Sequence, residues 1–292
     1  MQFAIFAGLG NQLFQFTAAH LSLNRDNEKI TLVIDQSPQV DRPFLLAPII
    51  ENCPHEINCR VSEIRETKGR GRIMKVFSLK CLKPIQKILQ LLPITYETTP
   101  YVFNLLQFQV SKLNVGYYQH WQYPESAWLE IGPEITDSLR NVSLSEDILD
   151  EVRDSIVIHI RRGDLLNSME TMGLLSRDYY AKAINSLVLE GASNEIIAFT
   201  DDTEGSTDLS QQLNVKRLFG PEDVNQFEAL AYMSHSNRLV VANSTFSWWA
   251  GFLATKNNAS VVVPDPWFKK WHQEIGNAFI HPQMRTIESS FL

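Results

Sequence analysis

The sequence predicts an α/β protein of the doubly wound kind, organised in two domains. Three observations carry this. The second half alternates short β-branched runs with amphipathic stretches, which implies a parallel sheet covered by helices on both faces. The N-terminus starts with the same strand-turn-helix-strand rhythm. The length of 292 residues exceeds the usual size of a single core.

Taken in order, Gln2 to Ala7 reads as a first strand that runs into the glycine turn Gly8-Leu9-Gly10. Asn11 to Asn24 follows as a mostly buried helix, with Leu13, Phe14, Phe16, Ala18 and Leu21 on its apolar positions. Ile30 to Ile34 is the second strand. Gln36 to Asn58 carries prolines at 38, 43, 48 and 54 and is expected to be loop with a short helix. From Arg65 to Lys87 basic residues recur among apolar Met74, Phe77, Cys81, Leu82 and Ile85 at helical spacing. Two readings stay open there: a core-facing helix with a solvated basic side, or peripheral contact of residues 65–92 with an anionic membrane surface. Leu113 to Tyr123 is dense in aromatic rings with polar tips, which suits either sugar faces or a buried strand end. Glu146 to Arg153 is a polar helix, and the domain boundary is placed beside it, giving domains 1–150 and 151–292.

In the second domain the expected strands are 155–160, 195–200, 215–219, 238–242 and 260–263, separated by helices over 177–189, 207–213, 225–234 and 246–255. The net charge of −7 argues against a general nucleic-acid binder. Cys53, Cys59 and Cys81 lack metal-ligand or CxxC spacing and fit reduced thiols. Met1 to Ala7 is too short for a signal-peptide core, and no apolar run is long enough to span a membrane.

Three segments at strand ends carry chemistry. His159-Ile160-Arg161-Arg162-Gly163-Asp164 follows the apolar run 155–158. Alternation along a strand puts His159 and Arg161 on one side, Ile160 and Arg162 on the other. Ligands of open α/β sheets collect at carboxyl ends, and the fork of Arg161 suits a diphosphate. Asp201-Asp202 ends another strand, where carboxylates hold a metal, receive ribose or base donors, or cap the next helix. Asn243-Ser244-Thr245 ends a third strand and opens a helix, an anion site or a plain N-cap.

Together these segments resemble the α-1,2-fucosyltransferases of glycosyltransferase family 11. Gly8 to Gln15 resembles that family's N-terminal motif, His159 to Asp164 its HxRRGD motif, Phe199-Thr200-Asp201-Asp202 its FSDD motif with Thr for Ser, and Asn243 to Trp249 its NSTFSWW motif. Gly116-Tyr117-Tyr118-Gln119 is similar to a family GYxQ segment. The resemblance implies a GT-B-like fold, two Rossmann-like domains with mostly parallel sheets facing across a cleft. It implies an acceptor-side N-terminal domain and a C-terminal domain for GDP-fucose. It also implies inverting transfer of L-fucose from GDP-β-L-fucose to the 2-hydroxyl of a free or lipid-linked glycan, without a metal or other cofactor. On it Arg161, Arg162 and Asp164 are the expected catalytic residues, Asp164 as the base. His159, Arg161, Asp202, Asn243, Ser244, Thr245, Gly10 and Asn11 are the expected donor-binding residues. An α-1,6-type linkage and a non-catalytic sugar-nucleotide-binding protein are the alternatives. With no anchor in view, a bacterial cytoplasmic protein is expected, either free or peripheral to the inner face of the membrane.

Overall fold

A computed structural model of the protein describes residues 1–26, 29–35, 43–51, 53, 57–66, 72–75, 95–97, 101–105, 108, 112–163, 169–270 and 277–292. They fall in two compact units, Met1–Ser138 and Leu139–Leu292. Both are α/β with largely parallel sheet, the class the sequence predicts.

The first unit runs β1 (Gln2–Ile5), α1 (Leu9–Asp26), β2 (Ile30–Asp35), α2 (Ala47–Glu51), β3 (Ile57–Glu66), β4 (Arg72–Lys75), β5 (Thr95–Glu97), β6 (Leu113–Val115) and α3 (Gln122–Arg140). The strand order is β4-β3-β2-β1-β6-β5, and every described pair is parallel except β3 with β4. β1 lies in the middle, and its Phe3, Ala4 and Ile5 are almost wholly buried. A strand covered on both faces has no solvated side, so it reads as a continuous apolar run.

The second unit runs α4 (Glu146–Asp154), β7 (Ile156–Ile160), α5 (Arg177–Val188), β8 (Ile196–Thr200), α6 (Thr203–Gln212), β9 (Arg217–Phe219), α7 (Gln226–Ser234), β10 (Arg238–Val240), α8 (Thr245–Lys256), β11 (Ser260–Asp265) and β12 (Met284–Glu288). The order is β12-β11-β10-β7-β8-β9, parallel throughout. Ile156, Ile158 and Ile160 of β7 pack with Tyr179, Tyr180, Ala183, Ile184 and Leu187 of α5 in one core. Each large side chain buried in this way contributes roughly 1.5–3 kcal/mol. α8 is buried on nearly every side. A Cβ on its Gly251 would come within 3.0 Å of Val241 and Val261, so glycine lets the helix lie close on the sheet.

Three expectations are corrected. The division falls at Ser138/Leu139 and not at 150. α4 is tied to the second unit, since Ser145 donates its N–H to Tyr232 Oη at 2.8 Å and Glu151 pairs with Arg217 at 3.2 Å. The basic segment does not start as a helix: Arg65 lies in β3 and Arg72–Lys75 is β4, paired antiparallel with it. Strand pairing overrides the helical spacing there, and residues 76–92 of that segment lie outside the described residues. α6 begins at Thr203 and not Thr207, because Asp202 caps it one turn earlier. Among the described residues no helix is long and apolar enough to cross a membrane.

Candidate active site

In the second unit the strand order reverses between β7 and β10. The strands that follow β7 stack outward on one side as β8 and β9, and those that follow β10 on the other as β11 and β12. Ligands of such sheets bind outside the carboxyl ends at that switch point. The HxRR segment leaves β7 and the Asn243–Thr245 segment follows β10, so two of the three chemistry-bearing stretches meet there. Two buried tyrosines of α5 brace the place: Tyr180 Oη donates to the His159 carbonyl at 3.0 Å and Tyr179 Oη to the Val241 carbonyl at 2.7 Å.

His159 is the last polar residue of a wholly buried strand, and its ring lies 5.7 Å from that of Phe246 in the first turn of α8. Its Nδ1 is buried and has no hydrogen-bond partner among the described residues. Burial first, and the Arg161 guanidinium second, push the imidazole down to about 3, so the ring is neutral. Arg161 Nε pairs with Asp201 Oδ2 at 3.2 Å, and its side chain is 19% exposed. Asp201 Oδ1 accepts the Arg162 backbone N–H at 2.9 Å. Asp201 thus holds both the side chain of Arg161 and the backbone beyond it. Gly163 packs so close that a Cβ there would sit 2.6 Å from Asp201 Oδ2.

The two arginines differ in placement as alternation along the strand predicts. Arg162 is buried, with Nη2 donating to the Leu175 carbonyl at 3.2 Å and Nη1 to the Arg161 carbonyl at 3.3 Å. Asn243 is buried too, and its Nδ2 donates to the carbonyls of Met172 and Gly173 at 3.2 and 3.0 Å. Arg162, expected in catalysis, and Asn243, expected on the donor, are thus both engaged by the backbone stretch before α5. Asp202 Oδ1 accepts the Gly205 N–H at 3.0 Å as the N-cap of α6, the capping arrangement that was one of the readings for this pair.

Ser244 is the N-cap residue of α8 but makes no capping hydrogen bond. In the same unit α5, α6 and α7 are each capped by a side chain, from Ser176, Asp202 and Asn225, while Ser145 before α4 makes no such bond either. At the switch point the first-turn amides of the helix that begins with Thr245 have no side-chain cap among the described residues. That arrangement suits an anion. Asp164 lies outside the described residues.

Gly10 and Asn11 belong to the first unit and both lie in α1, Asn11 as expected and Gly10 where a glycine turn was expected. Gly10 is buried in the first turn of α1, and the left-handed residue at the turn is Ala7, with φ of 65°. Asn11 Oδ1 accepts from Gln119 Nε2 at 2.7 Å. Gln12 and Gln15 are buried and hold the turn, Gln12 Nε2 on the Ala7 and Pro43 carbonyls and Gln15 Oε1 on the Phe6 N–H. What the sequence reading missed is the pairing of Asp201 with Arg161. The register pairs Ile160 with Thr200, so Arg161 and Asp201 are the next positions on neighbouring strands. Their equal offsets from two strand ends were the available signal.

The chain is similar to known proteins along most of its length. An O-antigen biosynthesis glycosyltransferase of Escherichia coli, WbnK, is 25% identical over 285 residues, 89% of this chain and 92% of that protein. An Escherichia coli α-1,2-colitosyltransferase is 26% identical over 170 residues, 53% of this chain and 56% of that protein. Among solved structures, the NodZ α-1,6-fucosyltransferase soaked with GDP-fucose superposes with a TM-score of 0.42 at 16% identity, over 86% of this chain and 92% of that one. The model of Glycosyl transferase family 11 matches residues 83–279, which include the HxRR, Asp201 and Asn243–Trp249 segments. The chain belongs to glycosyl transferase family 11.

Proposed function

We propose that this glycosyltransferase moves L-fucose from GDP-β-L-fucose to the 2-hydroxyl of a terminal β-galactosyl glycan, with inversion to an α-1,2 linkage. The observation that carries the reading is the pairing of Arg161 with Asp201 beside a helix N-terminus without a side-chain cap, at a sheet switch point. In the reaction the acceptor oxygen attacks the anomeric carbon, the bond from that carbon to the β-phosphate oxygen breaks, and GDP leaves with the bonding pair. The acceptor hydroxyl gives its proton to a base, for which Asp164 is the candidate. The charge that develops on the pyrophosphate meets the Arg161 guanidinium and the first amides of α8, an electrostatic stabilisation that involves no metal in this proposal. His159, held neutral, adds a polar ring to that wall without a competing cation.

The α-1,2 linkage and a role in O-antigen synthesis draw on the names of the two Escherichia coli relatives. The colitosyltransferase supports a second reading in which the donor carries colitose and the linkage is the same. Turnover of GDP-fucose and of GDP-colitose with lactose and with a β-galactosyl-1,3-N-acetylhexosamine, in EDTA, tests both readings, with the product linkage mapped by NMR. An α-1,2 product is expected, and Arg161→Ala is expected to lower kcat on the order of 100- to 1,000-fold. Loss of all product on chelation, a different linkage, or an Arg161→Ala variant that turns over normally would sink the mechanism.

A further inference from the structure

The described pairing of β7 with β10 ends at Ile158 opposite Val240. One residue further the pairing turns outward on both sides: His159 lies opposite Phe199 of β8, and Val241 donates its N–H to the Val262 carbonyl of β11 at 2.8 Å. At this parting of the strands the carbonyls of His159 and Val241 accept the hydroxyls of Tyr180 and Tyr179, at 3.0 and 2.7 Å. Neighbours on one helix, the two phenols thus reach one strand each. Both side chains are wholly buried and their rings meet edge-on at 5.1 Å, so close packing aims each hydroxyl. The stretch that leads into α5 holds the same two exits a second time. Arg162, which follows β7, donates to the Leu175 carbonyl at 3.2 Å, and Asn243, which follows β10, donates to the Met172 and Gly173 carbonyls at 3.2 and 3.0 Å. That stretch is itself fixed, since Ser176 caps α5 and its Oγ shares a hydrogen bond with Ser290 Oγ at 2.6 Å. Residues 172–180 therefore tie the exit of β7 to the exit of β10, and Arg161 and the first turn of α8 follow directly beyond those exits.

We propose that Tyr179 and Tyr180 are positioning residues for the transfer, which together set the distance between the Arg161 guanidinium and the first-turn amides of α8. The inference rests on the glycosyl-transfer reading above and deepens it by naming residues that touch no substrate. Donors on two separate strands serve one leaving pyrophosphate only while their spacing is held, and a misplacement on the order of 1 Å is enough to cost about 100-fold in rate. Neither phenol acts as an acid or a base in this role. Burial pushes both above the ordinary tyrosine range, so each stays an O–H donor near neutral pH.

Tyr179→Phe and Tyr180→Phe each remove one hydroxyl and keep the packed ring. Steady-state kinetics of the full chain, with lactose and whichever of GDP-fucose and GDP-colitose turns over, is expected to show kcat lower on the order of 10- to 100-fold in each variant. The KM for the donor should stay within about threefold, because the spacing matters most for charge that develops in the transition state. Ile184→Val, in the same helix and the same core, loses packing without touching either hydroxyl, and its kcat should match the wild type. Amide exchange without ligand gives a second readout. Tyr180→Phe should speed exchange in 160–163, and Tyr179→Phe in 242–246, by about tenfold, the effect of losing one buried hydrogen bond. A wild-type kcat in both tyrosine variants, a loss carried by KM alone, an equal fall in Ile184→Val, or unchanged exchange at the two exits would each overturn the proposal. If the donor reading alone is wrong, the wild type turns over neither sugar nucleotide, and exchange then decides: faster exchange at the two exits supports the clamp, and unchanged exchange overturns it.

Discussion

His159 is a titratable ring inside a strand buried along its whole length, and that fixes how the protein responds to acid. An unfolded histidine takes up its proton near pH 6.5, whereas here burial and Arg161 hold the ring unprotonated down to about 3. Above pH 6.5 both states are neutral and the folded state keeps its full stability. Between 6.5 and 3 only the unfolded chain binds the proton, so stability falls as pH falls, by up to about 1.4 kcal/mol per pH unit. Urea unfolding at about pH 7.5 and about pH 4.5, compared between wild type and His159→Gln, isolates this contribution from that of the carboxylates. The variant should lose less stability on acidification than the wild type. Equal losses would mean that His159 is protonated in the fold. The identity of this residue and its facing with Arg161 were legible in the sequence, because a two-residue period needs only local geometry. The partner of Arg161 was not, since Asp201 comes into place only through the pairing of β7 with β8.

At the scale of elements, the loop before α5 is where two motifs converge. Arg162 and Asn243 come from different strands and both grip the backbone of Met172 to Leu175. The C-terminal residues hold the same stretch from another side, through Leu292 N–H to the Leu174 carbonyl and Ser176 N–H to the Ser290 carbonyl, both within 2.9 Å. Lysine at 162 keeps the charge but not the planar fork that reaches two carbonyls. Arg162→Lys and Asn243→Ala are each expected to destabilise the protein by about 1–3 kcal/mol, the cost of leaving buried carbonyls unsatisfied. They should weaken GDP binding less than Arg161→Ala does, by calorimetry beside denaturant unfolding. A loss of GDP affinity equal to that of Arg161→Ala, with unchanged stability, would place Arg162 in contact with the ligand instead. Helix and strand types in the second unit were legible because each parallel strand is a compact apolar run. The first unit was harder to read. Arg72-Ile73-Met74-Lys75 pairs as a strand although its neighbours carry helical spacing, and α3 contains Pro133, which reads as a breaker.

For the whole molecule, the two units each end their central strands at a reversal of strand order, but they furnish the two places with different chemistry. In the second unit the switch point has a guanidinium and a helix N-terminus without a side-chain cap; in the first it has amides, a phenol and a neutral imidazole. The doubled α/β pattern was legible in the sequence, yet which side chains gather at each reversal depends on strand order, which no local pattern encodes. The charged reversal predicts how amide exchange in the full chain answers to GDP and to a ligand without phosphate. GDP should slow exchange in the segments 159–163 and 244–248, because α8 amides gain an acceptor and the HxRR turn is held in its bound form. At about 100 times its dissociation constant, a ligand stabilises the state it binds by about 2.7 kcal/mol, enough to slow local opening on the order of 100-fold. Lactose, which carries no phosphate, should leave 244–248 unchanged. Protection by GDP elsewhere, with none at 159–163 or 244–248, would sink the placement of the pyrophosphate beside Arg161.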